Sequence, residues 1–240
     1  MTLHLLCATL NNPDRVLSQI EKHRKYSKNS TLWYAVQDTE TENIIKKTGH
    51  KNYIKIKANS TAEAWQELSN HVKEGTHMLL GDDVEFYQQD WDQRMAPTKE
   101  VQMINCINFK PNGTQLEISE KKLPAPHYAV TQKWREILGW FVPPGYAHYC
   151  VDSYVMRLAI VTDTLLKTSA KIIHNRSAQK NNNEIQNSDI KKFKNSFDTF
   201  YNDCLKIANY KKNTNTVTKR LETISKQQDW TQPKNFRNLI

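Results

Sequence analysis

The sequence predicts an α/β fold, a mostly parallel sheet with flanking helices, followed by a helical C-terminal extension. Three observations predict it. Strand and helix signals alternate over the first half of the chain. The first apolar run passes directly into a helix start. Beyond residue 189 the apolar positions recur three and four apart, the spacing of helices docked by one face.

Leu3 to Leu10 is the first strand, and Asn12-Pro13-Asp14 supplies an N-cap, a first-turn proline and a first-turn acid for the helix after it. Leu32 to Val36 reads as a second strand ending at Gln37-Asp38, and Tyr53 to Ile56 as a third. Ser60-Thr61-Ala62-Glu63 fits a capping box for a helix that turns Ala64, Trp65 and Leu68 inward and that Gly75 can close. Met78 to Leu80 is a brief buried strand running into Gly81-Asp82-Asp83. Val101 to Ile107 is another strand, Pro111-Asn112-Gly113 a turn, Thr131 to Gly139 a capped helix with Trp134, Ile137 and Leu138 apolar, and 151–162 a further helix. The polar run SAQKNNNEIQNS, 177–188, reads as a loop. Ile190, Phe193, Phe197, Tyr201, Cys204 and Ala208 mark a docked helix, and Val217, Leu221 and Ile224 a last one.

With 240 residues and 28.1 kDa the chain can bury a sizeable core, and 38% hydrophobic and 10% aromatic residues exclude a disordered polyelectrolyte. Mean hydropathy is −0.75 and no apolar run reaches the length of a spanning helix, so no integral membrane segment is expected. The N-terminus lacks the basic start and cleavage site of a secretion signal, which favours a cytoplasmic location, the host cytoplasm if the chain is viral. Cys7, Cys106, Cys150 and Cys204 are too dispersed for a zinc knuckle and read as buried free thiols. The charge of +9 is uneven: residues 190–240 hold 11 Lys or Arg against Asp198, Asp203, Glu222 and Asp229, a net +7. This divides the chain into a nearly neutral body, 1–189, and a basic helical extension, 190–240. The excess suits a polyanion such as double-stranded DNA, or is a solvated helix surface.

The strongest local signal is HMLLGDDVEFYQQDWDQRM, residues 77–95. A buried strand ending in adjacent carboxylates places anionic oxygens where a hard divalent cation can bridge protein and phosphate. The stretch resembles the metal-binding DXD loop of GT-A glycosyltransferases, small bacterial and phage members above all, in Met78 to Leu80, Asp82-Asp83, Val84 to Phe86 and Asp90-Trp91-Asp92. The block GWFVPPGYAHYCVDSYVMRLA, 139–159, is similar to the family's acceptor-side segment, and AKIIHNRSAQK, 170–180, to its late strand ending in His with a Lys beyond. The likeness covers about residues 1–205, and Gly81 departs from it by replacing a first aspartate.

The resemblance implies a nucleotide-diphosphate sugar donor, a UDP-sugar first among them, and Mn²⁺ or Mg²⁺ as cofactor. Asp83 would hold the ion and His174 add a nitrogen ligand, unless His174 only caps its strand. Asp82 would serve the ribose or the ion. Thr9, Asn11 and Arg15 on the first strand–helix turn, Asp38, and Lys180 would hold the donor. Asp152 would be the general base of an inverting transfer, or an ordinary first-turn acid, with His148 the alternative base. Trp140, Tyr146 and His127 would lie on the acceptor side, His127 alternatively being structural. Among Trp91, Trp134, Trp140, Phe141, Tyr146 and Tyr149, two or three at most are expected in the site, the rest in the core. A hydroxylated base in phage DNA is the leading acceptor, and a surface glycan or lipid-linked saccharide the alternative. A different class, a metal-dependent nuclease or nucleic-acid-binding protein, would use Asp82, Asp83 and Glu85.

Overall fold

The computed structural model describes residues 2–113, 115–116, 127–175 and 183–239. At its centre lies β1 (Leu3–Thr9), whose alternate side chains enter two different cores: Leu5 and Cys7 one, Leu6 and Ala8 the other. A strand buried on both faces reads as a continuous apolar run, which is why this segment carries almost no polar residue. It is flanked in parallel by β2 (Ser30–Val36) and β4 (Thr76–Gly81), and β3 (Tyr53–Lys55) extends β2, also in parallel. The helices α1 (Pro13–Tyr26), α2 (Thr39–Lys47) and α3 (Thr61–Val72) make the crossovers.

The second half adds β5 (Val84–Phe86), β6 (Met103–Phe109), β7 (Gln115–Leu116), β8 (Tyr128–Val130) and β9 (Leu165–His174), giving the order β3-β2-β1-β4-β8-β6-β9-β5 with β7 on β6. Among the described pairings of this half β6–β9 is parallel, and β4–β8, β6–β8, β6–β7 and β5–β9 are antiparallel. The parallel half therefore matches expectation, and the sheet as a whole is mixed.

Local chemistry departs from the sequence reading at four points. Asn12 stands at the N-cap of α1, but its side chain makes no cap bond and donates instead to Leu10 O and Asp82. Ser60 does cap α3, accepting from Glu63 N at 3.1 Å, while Glu63 returns its bond one residue early, to Asn59 N. Gly75 does not close that helix, since Lys73 takes the C-cap. Gly75 is needed for space: at φ +84° a Cβ there would lie 2.7 Å from the His4 ring and 2.8 Å from Thr2 O. Thr131 Oγ1 likewise accepts from Gln102 N instead of capping α4 (Gln132–Leu138).

The helix α5 (Val151–Val161) is buried almost all round and forms the floor on which α6 (Asn183–Lys194), α7 (Phe197–Lys211) and α8 (Thr214–Ser225) dock. Phe193, Phe200, Trp230 and Phe236 share one continuous core with Tyr154 of α5 and with Leu6 and Leu79 of the sheet. The division expected between residues 189 and 190 falls inside α6. Residues 183–188 of the expected loop are helical, and the rest of that run lies outside the described residues. Lys211 donates to Thr162 O and Asp163 O, and Arg220 to Val161 O, so two cations of the basic segment close the C-terminus of α5. Cys7, Cys106 and Cys204 are buried free thiols, whereas Cys150 is half-buried. No described helix is long and apolar enough to cross a membrane.

Candidate active site

The turn after β4 is held from below by Gln19, a buried amide on the apolar face of α1. Its Nε2 donates to Gly81 O and Val84 O, both at 3.0 Å, and its Oε1 accepts from Tyr34 Oη at 2.8 Å. On this clamped turn the two carboxylates diverge. Asp82 faces the β1–α1 turn, accepting from Thr9 Oγ1 at 3.1 Å and Asn12 Nδ2 at 2.7 Å, with Arg15 Nη1 at 3.8 Å. Burial and the like charge of Asp83 raise its pKa, against the hydrogen bonds from Asn12 and Thr9 and the charge of Arg15.

Asp83 faces the other way. Its Oδ2 is 3.0 Å from His174 Nε2, and its carbonyl accepts from Asn175 N at 2.7 Å where β5 pairs with the end of β9. Burial alone would raise its pKa, but the hydrogen bond from His174 and the charges of His174 and His127 hold it below the ordinary carboxylate value. The His127 ring stands edge-on to His174, centroids 4.7 Å apart. One ligand atom from each of Asp83, His127 and His174 lies within 4.8 Å of the others.

This donor set, one carboxylate oxygen and two imidazole nitrogens, fits a divalent ion, and imidazole suits Mn²⁺ better than Mg²⁺. Gly81 makes the fit possible. A Cβ on it would be 2.4 Å from Asp83 Oδ1 and 3.6 Å from His127 Cε1, so the missing side chain is the space that the Asp83 carboxylate occupies. An aspartate at position 81 could not coexist with this arrangement. His174 Nδ1 is buried with no hydrogen-bond partner among the described residues.

A cleft of about 240 Å³ opens beside the turn, at the carboxyl ends of β1 and β2, with Thr9, Gln37, Asn59, Ser60 and His148 on its walls. His148 stacks on Trp65 at 5.9 Å and 21°, and Trp65 in turn donates to Leu80 O at 3.0 Å, so the ring is referenced to β4. The surrounding protein lowers the His148 pKa, opposed by the charges of Asp189 and Asp83. Its loop is fixed by Asp189 of α6, a carboxylate 2% exposed that accepts from the backbone N–H of Ala147, His148 and Tyr149 at 3.1, 2.9 and 2.8 Å.

The structure thus brings Asp83, His174 and His127 together, and Thr9, Arg15 and Asp82 into a second cluster beside them. Asp38 caps α2 through Thr41 N at 2.7 Å and accepts Asn11 N at 2.9 Å, bracing two strand ends against each other. Asn11 itself is exposed, at φ 55°. Asp152 is half-buried in the first turn of α5 and accepts from Ser153 N at 2.7 Å. Trp140 is buried against Tyr154, so it is core, whereas Tyr146 lines a separate cavity. Trp91, Trp134 and Phe141 are core as well. Asp92 is a latch for Lys28 N, Asn29 N and Ser30 Oγ. Glu85 bonds Lys22 and Asn175 and stands apart from the described metal-ligand group, which removes it from the nuclease reading. Lys180 lies outside the described residues. Asn12, Gln19 and Asp189 were not anticipated. Gln19 had a signal, a polar residue on an otherwise apolar helix face between Val16 and Ile20.

No family model and no curated protein sequence matches the chain. Solved structures do. TarS of S. aureus superposes with a TM-score of 0.60 at 9% identity over 82% of this chain, which spans 40% of TarS. Glucosyl-3-phosphoglycerate synthase of Mycobacterium tuberculosis, solved with Mn²⁺, UDP and glucosyl-3-phosphoglycerate, superposes at 0.54 with 14% identity over 85% of this chain and 80% of the synthase. A further mycobacterial protein gives 0.56 at 13% identity over 78% of this chain and 71% of its own. With its parallel half-sheet, its strand-end cleft and these neighbours, the chain has the GT-A fold of glycosyltransferases.

Proposed function

We propose that the protein is a metal-dependent glycosyltransferase that moves a sugar from a nucleotide-diphosphate sugar, a UDP-sugar first, to a hydroxyl acceptor. The observation that carries this is the Asp83–His127–His174 group beside a cleft at the strand ends. The synthase of the same fold, solved with Mn²⁺ or Mg²⁺ and UDP, supports the donor and the ion. Asp83, His127 and His174 would hold the ion, which when bound stabilises the negative charge of the departing diphosphate. Arg15 Nη1, buried and without a hydrogen-bond partner among the described residues, adds a fixed cation on the donor side. Asp82 orients Asn12 and Thr9 at the cleft mouth, and His148 on its Trp65 platform forms the opposite wall. Asp152, in the first turn of α5, is assigned as the proton acceptor for the attacking hydroxyl, and inversion is the outcome expected of a transfer that uses such a base without a covalent intermediate.

Calorimetry of UDP with and without Mn²⁺ tests the donor reading; binding that needs the metal and is lost in Asp83→Asn supports it, and metal-independent binding overturns it. Asp152→Asn should lower turnover by about 10² to 10⁴ with donor affinity kept; if His148→Gln gives that result and Asp152→Asn does not, the base is His148.

For the acceptor, a hydroxylated base in phage DNA is supported by the basic segment, although Lys211 and Arg220 are committed to α5 and Lys206 to Asp203. Lys194 pairs with Asp229 and Lys192 donates to Gly145 O, so Lys191, Lys212 and Lys219 carry what remains of that reading. Transfer to hydroxymethylated DNA that falls steeply with salt would support it, and salt-indifferent transfer to a saccharide would replace it. The saccharide reading has its own observation, a second cavity.

A further inference from the structure

A cavity of about 430 Å³ lies between the Pro143–Tyr146 loop and the junction of α6 and α7, outside the cleft and the metal-ligand group. We infer that it binds a phosphorylated saccharide unit and is the acceptor subsite of the proposed transferase; the inference rests on that reading for its role and on the cavity alone for its ligand.

The volume falls in the range of small-molecule sites. Pro144 is its exposed apolar lining, over the largely buried Pro143, Tyr146 and Tyr154, and gives the C–H face of a sugar ring a surface to pack on. Ser188, Asn195, Ser196 and Thr199 supply hydroxyl and amide groups for sugar hydroxyls. Among the described residues no carboxylate lines it, while two lysines do. Lys192 is spent on Gly145 O, which ties α6 to the loop. The exposed Lys191 ammonium has no hydrogen-bond or ion-pair partner among the described residues and stands at the rim ready for an anion. The nearest buried acids are already occupied: Asp189 by three backbone N–H groups, Asp203 by Tyr154 Oη and Lys206.

Position completes the argument. Ile185 of α6 lines the donor-side cleft, and Ser188, Lys191 and Lys192 of the same helix line the cavity. At 1.5 Å rise per residue the two are within roughly 10 Å along the helix axis. Tyr146 faces the cavity and its neighbours Ala147 and His148 face the cleft. A glycan gripped in the cavity can therefore extend across one short loop and offer its next hydroxyl to the donor. Duplex DNA is the wrong shape for this space: its backbone is convex and is read by broad basic surfaces, whereas this is a concavity of one or two rings.

The test is calorimetric titration of the full-length protein with glucose 6-phosphate, glucose, inorganic phosphate and a short DNA duplex, beside UDP with Mn²⁺. The expected result is binding of glucose 6-phosphate tighter than either glucose or phosphate, and a loss of about tenfold in Lys191→Gln, one charge-assisted bond. Lys191→Arg should retain binding. Both changes are at an exposed position, and UDP–Mn²⁺ affinity, read in the same samples, reports the fold. Unchanged glucose 6-phosphate affinity in Lys191→Gln overturns the inference, as does a duplex that binds better and displaces the sugar phosphate. Glucose 6-phosphate binding without UDP–Mn²⁺ binding would leave the cavity assignment standing and remove the transferase reading.

Discussion

A methyl group at position 81 would sit where the Asp83 carboxylate now lies, so Gly81→Ala is expected to turn that carboxylate away from His174 while leaving β4 in place. Mn²⁺ affinity, followed by the electron-spin signal of the free ion, should fall more than tenfold, and the thermal midpoint should move only by the small amount typical of a surface change. An unchanged titration would mean that Asp83 is not a ligand. His127 gives a complementary prediction. Removing one of three protein ligands costs affinity first, so His127→Ala should weaken Mn²⁺ binding by about 10- to 100-fold while His4→Ala, a ring bonded to Trp33, should not.

At the level of elements, the end of α5 leaves carbonyls without an intrahelical donor, and Lys211 and Arg220 satisfy them from α7 and α8. Arg220→Ala should therefore cost about 1 kcal/mol or more in urea unfolding, and should do so in the absence of any nucleic acid. The same pair narrows what the basic segment can offer a polyanion: a linear count of lysines and arginines cannot tell a cation that meets solvent from one that closes a neighbouring helix. The parallel half of the sheet was legible because both-face burial writes apolar runs into Leu3–Thr9 and Met78–Leu80, and Ser60 with Glu63 announces α3. The helix α2 escaped notice because only Thr41 and Ile45 of its nine residues are buried, too few to write a periodicity. Asp83 was expected from its residue type at a strand end and His174 only through the resemblance of its strand, and the structure brings the two side chains together. His127 as their neighbour was not legible, because β8 reaches the site through antiparallel pairing with β4 and β6, a matter of tertiary register that leaves no local mark.

Over the whole molecule, the extension and the body are one cooperative core, with Phe200 fully buried between Tyr154 and Trp230. A fragment ending at residue 189 cuts α6 in two and uncovers α5; it should show no cooperative thermal transition, and in the full chain Phe200→Ala should cost about 3 to 5 kcal/mol. Acid should act globally as well. Burial lowers His77 to about 3 and His23 to about 4, with the charges of Arg135 and His50 adding to it respectively, although Asp92 opposes this at His23. Both are neutral when folded and charge readily when unfolded, so the unfolded chain binds more protons below its normal histidine pKa. Stability should be fully present above about pH 6.5 and decline as pH falls toward 4; a flat profile, or one unaltered in His77→Gln, would contradict this. The residues of the metal group have one more consequence. Asp83 and His174 are 91 positions apart, and His174 comes from a strand paired with β5 and β6. A ribosome delivers β1 to β4 long before it delivers β9, so the parallel half of the sheet can form first, and the Asp83–His174 pair can come together only once the last strand has closed the sheet.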